Sequence, residues 1–220
     1  MADLNLESSA VIHHFLPALD AIPHVVLRGS SSALTDSRLF FQQGDLDGAC
    51  GIYCLLMALI IRGEIARAEV PRRLRTRQTL QHALEIFLQG AHAADLVELG
   101  CALSPHANLA IALGSHTAIL RHAERELSEG KPVLLAVEDR AGRYSHWVLL
   151  VGVQYCGSPG AKPTALLALD PGAGRAPPLL HTFNWKLLLD LPRRGSRYLR
   201  CIDSSGTRRL VTCTEALVVN

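Results

Sequence analysis

Aromatic residues are scarce in this chain. They make up 5% of its 220 residues, so Leu, Ala, Val and Ile must fill any interior. Net charge is also small: 22 Lys and Arg against 20 Asp and Glu leave +2, a field too weak to argue for a nucleic-acid partner. No stretch reaches the roughly 18 uninterrupted apolar residues of a membrane span, so no membrane partner is expected. The opening Met-Ala-Asp-Leu-Asn-Leu-Glu lacks the basic-then-apolar pattern of a secretory signal, and the expected location is cytoplasmic. The 6 cysteines are too sparse for a disulfide scaffold and include no C-x-x-C pair. They are expected as reduced thiols, with no metal and no cofactor.

What is present is a hydrophobic content of 49%, enough for a globular core. The most informative stretch runs from Gln42 to Leu59: two glutamines, a turn-prone run of Gly and Asp, Cys50, then a dozen or so apolar residues. The pattern predicts a buried helix from about Asp47 to Arg62, with Asp47 as N-cap and Gly63 just past its end. Cys50 then lies in the first turn, where free N–H groups and the helix dipole favour a thiolate. Gln43 is close enough upstream to bring its amide beside the sulfur. A thiol at a helix start with an amide donor at hand is what acyl transfer by cysteine requires. The same stretch is also compatible with a plain core helix, in which Cys50 is a small buried apolar residue.

Apolar residues at helical spacing predict further helices over about 7–21, 76–88, 91–99 and 117–127. A short strand is predicted at 22–27. Arginines at 62, 67, 72, 73, 75 and 77 have no interleaved aromatics for stacking bases and read as a solvated face. His82, His92, His116 and His122 lack ligand spacing.

At Gly130-Lys131-Pro132 the pattern changes from helices to strands: 133–137, 145–153, 164–169, then an antiparallel pair over 197–202 and 208–218. Helices first and an antiparallel sheet second, without βαβ alternation, predict an α+β class. His146 opens one strand and Asp170, in Asp170-Pro171-Gly172, closes the next. If the two strands form a hairpin, His146 and Asp170 stand side by side. Asp170 then orients the imidazole for a nucleophile–base–carboxylate triad with Cys50. Asp139, and Asp190 on an expected helix, are the alternative acids.

Gln…Asp-Gly-Ala-Cys-Gly, Gly-Lys-Pro-Val-Leu-Leu-Ala-Val, Ser-His-Trp-Val-Leu-Leu-Val-Gly-Val and Leu-Ala-Leu-Asp-Pro-Gly, in that order, resemble the papain-like cysteine peptidases. The nearest group is the C39-like bacterial peptidases, and the resemblance covers about residues 42–60 and 128–172. It implies a papain-like fold over one domain, 1–220, with a helical half to about 130 and an antiparallel sheet over about 131–220. It further implies Cys50 as nucleophile, His146 as base, Asp170 as orienting acid and Gln43 as oxyanion-hole donor. That group places the glutamine six residues before the cysteine, whereas Gln43 stands seven before and Gln42 eight. The implied activity is hydrolysis of a peptide or isopeptide bond in a peptide or protein substrate. Glutamine deamidation or acyl transfer would use the same residues, and an inactive binding module would keep the fold alone.

Overall fold

The structure is a computed structural model that describes residues 11–15, 39–44, 48–142, 145–156, 162–173, 183–189, 198–203 and 205–220. Two strands of 12 residues each, β4 (Ser145–Cys156) and β8 (Arg208–Val219), are its longest. Between them runs β3 (Val133–Asp139), antiparallel to both. On the other edge of β8 lies β7 (Leu199–Asp203), followed by β6 (Trp185–Leu188) and β5 (Pro163–Leu169). β5 then pairs with the free edge of β4, and the ring closes.

The result is a closed antiparallel β-barrel of 6 strands, with 5 α-helices among the described residues. This corrects the predicted papain-like α+β arrangement of a helical half and a separate sheet. Strand periodicity reveals most of the barrel strands but not closure, which depends on tilt and stagger across the whole ring. Register shifts between Leu150 and Gly152 and between Gln154 and Tyr155 in β4, and between Ala136 and Val137 in β3, bend the strands toward closure.

Two strands fall in the part predicted to be helical. β1 (Val11–Phe15) pairs with Gly152–Cys156 of β4, beyond the end of β3, and β2 (Leu109–Ala112) pairs with Ala216–Val219 of β8, beyond the end of β7. Both satisfy backbone groups that the long strands would otherwise leave unpaired, a tertiary demand that outweighs local helical spacing. The segment around Asp190 also differs, since Trp185–Leu188 is a strand; Asp190 itself and the predicted strand at 22–27 lie outside the described residues.

Val133–Val137 and Trp147–Val151 are buried without alternation. One face of each strand turns into the barrel and the other is covered by helix. α1 (Cys50–Ile61) packs on β4 and β3. The short α2 (Val70–Leu74) leads to α3 (Arg77–Gln89) and α4 (Ala93–Leu103), which pack on each other. α5 (His116–Ser128) lies on β8, β4 and β3. Thr76 and Ser115 cap α3 and α5 through their hydroxyl oxygens. α4 is capped from the barrel: Glu215 on β8 accepts the Ala93 N–H at 2.7 Å. Among the described residues, no helix is long and apolar enough to cross a membrane.

Candidate active site

α1 is apolar almost all round because it is buried almost all round; only Tyr53 and Ile60 of its residues are not fully buried. It starts at Cys50, with Ala49 at the N-cap position and no side-chain cap there, so the predicted cap at Asp47 is not the one used; Asp47 lies outside the described residues. Gly63, at φ +73°, ends the helix as expected, with its N–H on the Ile60 carbonyl.

Cys50 is 7% exposed and occupies the first position of the helix. Gly51 beside it allows close packing: a Cβ there would stand 3.2 Å from Trp147 Cδ1 and 3.1 Å from Leu96 Cδ2. This approach sets the Trp147 N–H 3.4 Å from Cys50 Sγ. One turn on, the Cys54 thiol donates to the Trp147 carbonyl at 3.4 Å. The Trp147 indole N–H donates to Ala91 O at 2.8 Å, between α3 and α4. The strand residue after His146 is thus held at three atoms.

His146 and Asp170 meet as the hairpin of β4 and β5 requires. The ladder ends at Leu149 opposite Leu169, and just beyond it His146 Nε2 lies 2.5 Å from Asp170 Oδ1. Both residues are buried. With Nε2 engaged, the hydrogen bond between His146 and the Cys50 thiol falls to Nδ1. Asp139, the alternative acid, ends β3. Asp170 is itself held: the Gly172 N–H donates to Oδ1 at 2.7 Å, and Asn184 bonds both backbone groups of Asp170.

Gln43 reaches the same place by another route. Its backbone N–H donates to Pro171 O at 2.9 Å, which stitches the strap 39–44 to the Asp-Pro-Gly turn. Arg67 lies 3.8 Å over the Phe41 ring and donates to Leu39 O, and Phe41 stacks on Tyr53 of α1. The strap is therefore anchored at Gln43 and upstream of it. Gly172 is not among the glycines with left-handed backbone; what its missing side chain provides is room. A Cβ there would stand 3.0 Å from His146 Cε1 and 3.4 Å from both Asp170 Oδ1 and Gln43 Oε1. Gln42, by contrast, is exposed.

The electrostatics follow from these contacts. Burial pushes the Cys50 thiol up, but the His146 hydrogen bond and charge, with N–H groups of Trp147 and Gly51, bring it below its ordinary value. Burial also opposes a charged His146, yet its bonds to Asp170 and Cys50 raise it to about 9. The two shifts favour a thiolate–imidazolium pair at neutral pH. The other buried thiols go the opposite way: burial pushes Cys54 well up, Cys201 to about 11 and Cys213 to about 12.

The structure thus brings Cys50, His146, Asp170 and Gln43 together, although up to 127 residues separate them. Of the arginine cluster, Arg67 braces the strap, while Arg72 and Arg73 pair with Glu69. The contributions of Trp147, Cys54, Gly172 and Asn184 are absent from the sequence reading. Only Asn184 carried a signal, as a lone polar residue between Phe183 and Trp185. No protein-family model matches the chain, and no curated protein matches it either.

Proposed function

We propose that the protein is a cysteine peptidase, a thiol hydrolase that cleaves a peptide or isopeptide bond through an acyl-enzyme at Cys50. The observation that carries this reading is the unbroken line from Cys50 through His146 to Asp170, in which thiol and imidazole are shifted toward opposite charges. The motif resemblance to C39-like peptidases supports the same assignment of roles.

In this reading the Cys50 thiolate attacks the substrate carbonyl carbon and a C–S bond forms. The resulting oxyanion is met by the Cys50 backbone N–H and the Gln43 amide. His146, as imidazolium, gives its proton to the leaving nitrogen, and the C–N bond breaks. Water then enters, His146 takes one of its protons, and the hydroxide attacks the thioester. The C–S bond breaks, an acid is released and the thiolate is restored. Asp170 holds the imidazole orientation throughout and stabilises its charge. The space at Gly172 keeps the His146 ring edge open to the leaving group and to water. A thiol nucleophile works best where thiols stay reduced, which fits a cytoplasmic location.

The test is a cleavage profile on a diverse peptide library, wild type against Cys50→Ala. New termini in the wild-type digest that are missing from the Cys50→Ala digest are expected. An equal digest from both, or none from either, would sink the proposal.

A further inference from the structure

Asp170 stands past the last rung of the β4–β5 ladder, where a chain end is ordinarily free to swing. Its carboxylate needs a fixed direction, and no side chain in the sequence motif supplies one. Asn184 does so from the other side. Its side-chain oxygen accepts the Asp170 N–H at 2.6 Å and its NH₂ donates to the Asp170 carbonyl at 2.9 Å. Its own backbone N–H donates to Ala168 O at 3.0 Å, one rung from Trp185 opposite Ala168. Asn184 is 2% exposed. One amide head thus replaces the strand partner that Asp170 lacks. Of side chains this short, only Asn offers a donor and an acceptor on one planar group. Asp would present two acceptors, and Leu of similar shape would leave the buried Asp170 N–H without its partner.

We propose that Asn184 is a positioning residue of this site: by gripping both backbone groups of Asp170, it aims the carboxylate at His146 Nε2. Its effect on turnover rests on the hydrolase reading; its effect on His146 does not. Among the described residues, the titratable groups acting on His146 are Asp170 at the end of β5 and Cys50 on α1, with Cys54 one turn further along the helix. Asn184 is neutral, so it acts on the imidazole only through the aim of Asp170.

The experiment follows the His146 ring Cε1–H by NMR titration in the full chain, without substrate, in wild type, Asn184→Leu and Asn184→Asp. Wild-type His146 is expected to titrate near 9, and in Asn184→Leu the midpoint should fall toward the ordinary 6.5. Cys50 alkylation near pH 8, between the two midpoints, should slow by about tenfold or more in that variant, as the imidazolium beside the thiol is lost. Asn184→Asp is the sharper probe, because a protonated carboxyl has a donor and an acceptor where the amide has them. Where that carboxyl keeps its proton, the variant should titrate as wild type. A folded Asn184→Leu with an unchanged His146 midpoint would overturn the proposal. If Asn184→Leu does not fold, Asn184→Ala removes the same two bonds with less bulk, and an unchanged His146 midpoint there overturns the proposal equally. Should the wild type cleave no peptide, the hydrolase reading fails while the NMR arms still decide the role of Asn184.

Discussion

Cys50 and His146 set what the proposed site can do, and they shift in opposite directions. In the proposed hydrolase the active pair is thiolate with imidazolium, so kcat/KM should be bell-shaped in pH. The acid limb marks protonation of Cys50, below the ordinary thiol range, and the alkaline limb lies near 9, where His146 loses its proton. The limbs belong to the coupled pair rather than to either residue. Asp170→Asn removes the charge that holds the imidazolium, so the alkaline limb should move down from about 9. Turnover should drop on the order of 10⁴-fold, as when another orienting Asp is replaced. Gln43→Ala should cost about 100-fold in acylation, roughly 3 kcal/mol, and exposed Gln42→Ala little. A pre-steady-state burst resolves that acylation step directly. Equal, small losses from both glutamines would mean that backbone donors alone make the oxyanion site. The placement of Cys50, His146, Asp170 and Gln43 was legible because each sits at a break in pattern: helix start, strand start, strand end, turn. Trp147 was not, since its contribution is a backbone N–H that any residue type carries.

At the scale of elements, α1 was legible from its apolar length and from Gly63, and the β4–β5 hairpin from its two charge-free runs. β1 and β2 were not legible. They are strands only because the long strands β4 and β8 outrun their neighbours and leave edges to fill. At the junction of α1 with β4, Gly51 is what lets the helix start pack closely. Gly51→Ala puts a methyl 3.2 Å from Trp147 Cδ1 and about as close to both Leu96 methyls, so the helix start must back away. A loss of about 1–3 kcal/mol in urea unfolding is expected, as for other overpacked positions. Cys50 alkylation should slow with it, because the Trp147 N–H leaves the sulfur. Gly172→Ala makes a different prediction. It crowds the His146 ring edge at 3.0 Å from the one exposed residue of the turn, so turnover should fall while the urea midpoint stays near wild type.

For the molecule as a whole, closure of the barrel brings the chemistry together. β4 carries His146, β5 ends in Asp170, β6 begins next to Asn184, and α1 lies across β4 with Cys50 at its tip. The open sheet predicted from the strand pattern would have provided the β4–β5 contact but no β6 beside β5 to hold the far side of Asp170. Nothing in a four-residue strand such as Trp185–Leu188 announces that it closes a ring. The central claim is that this closed frame creates a single activated nucleophile among several free thiols, of which Cys101 is the exposed one among the described residues. The most direct test mixes the protein with a peptide thioester, quenches in acid within milliseconds, and maps the added mass. The account predicts one acyl group, on Cys50, which decays on longer mixing and is absent in Cys50→Ala. Acyl mass on Cys101 instead, or spread over the thiols in proportion to their exposure, would contradict it.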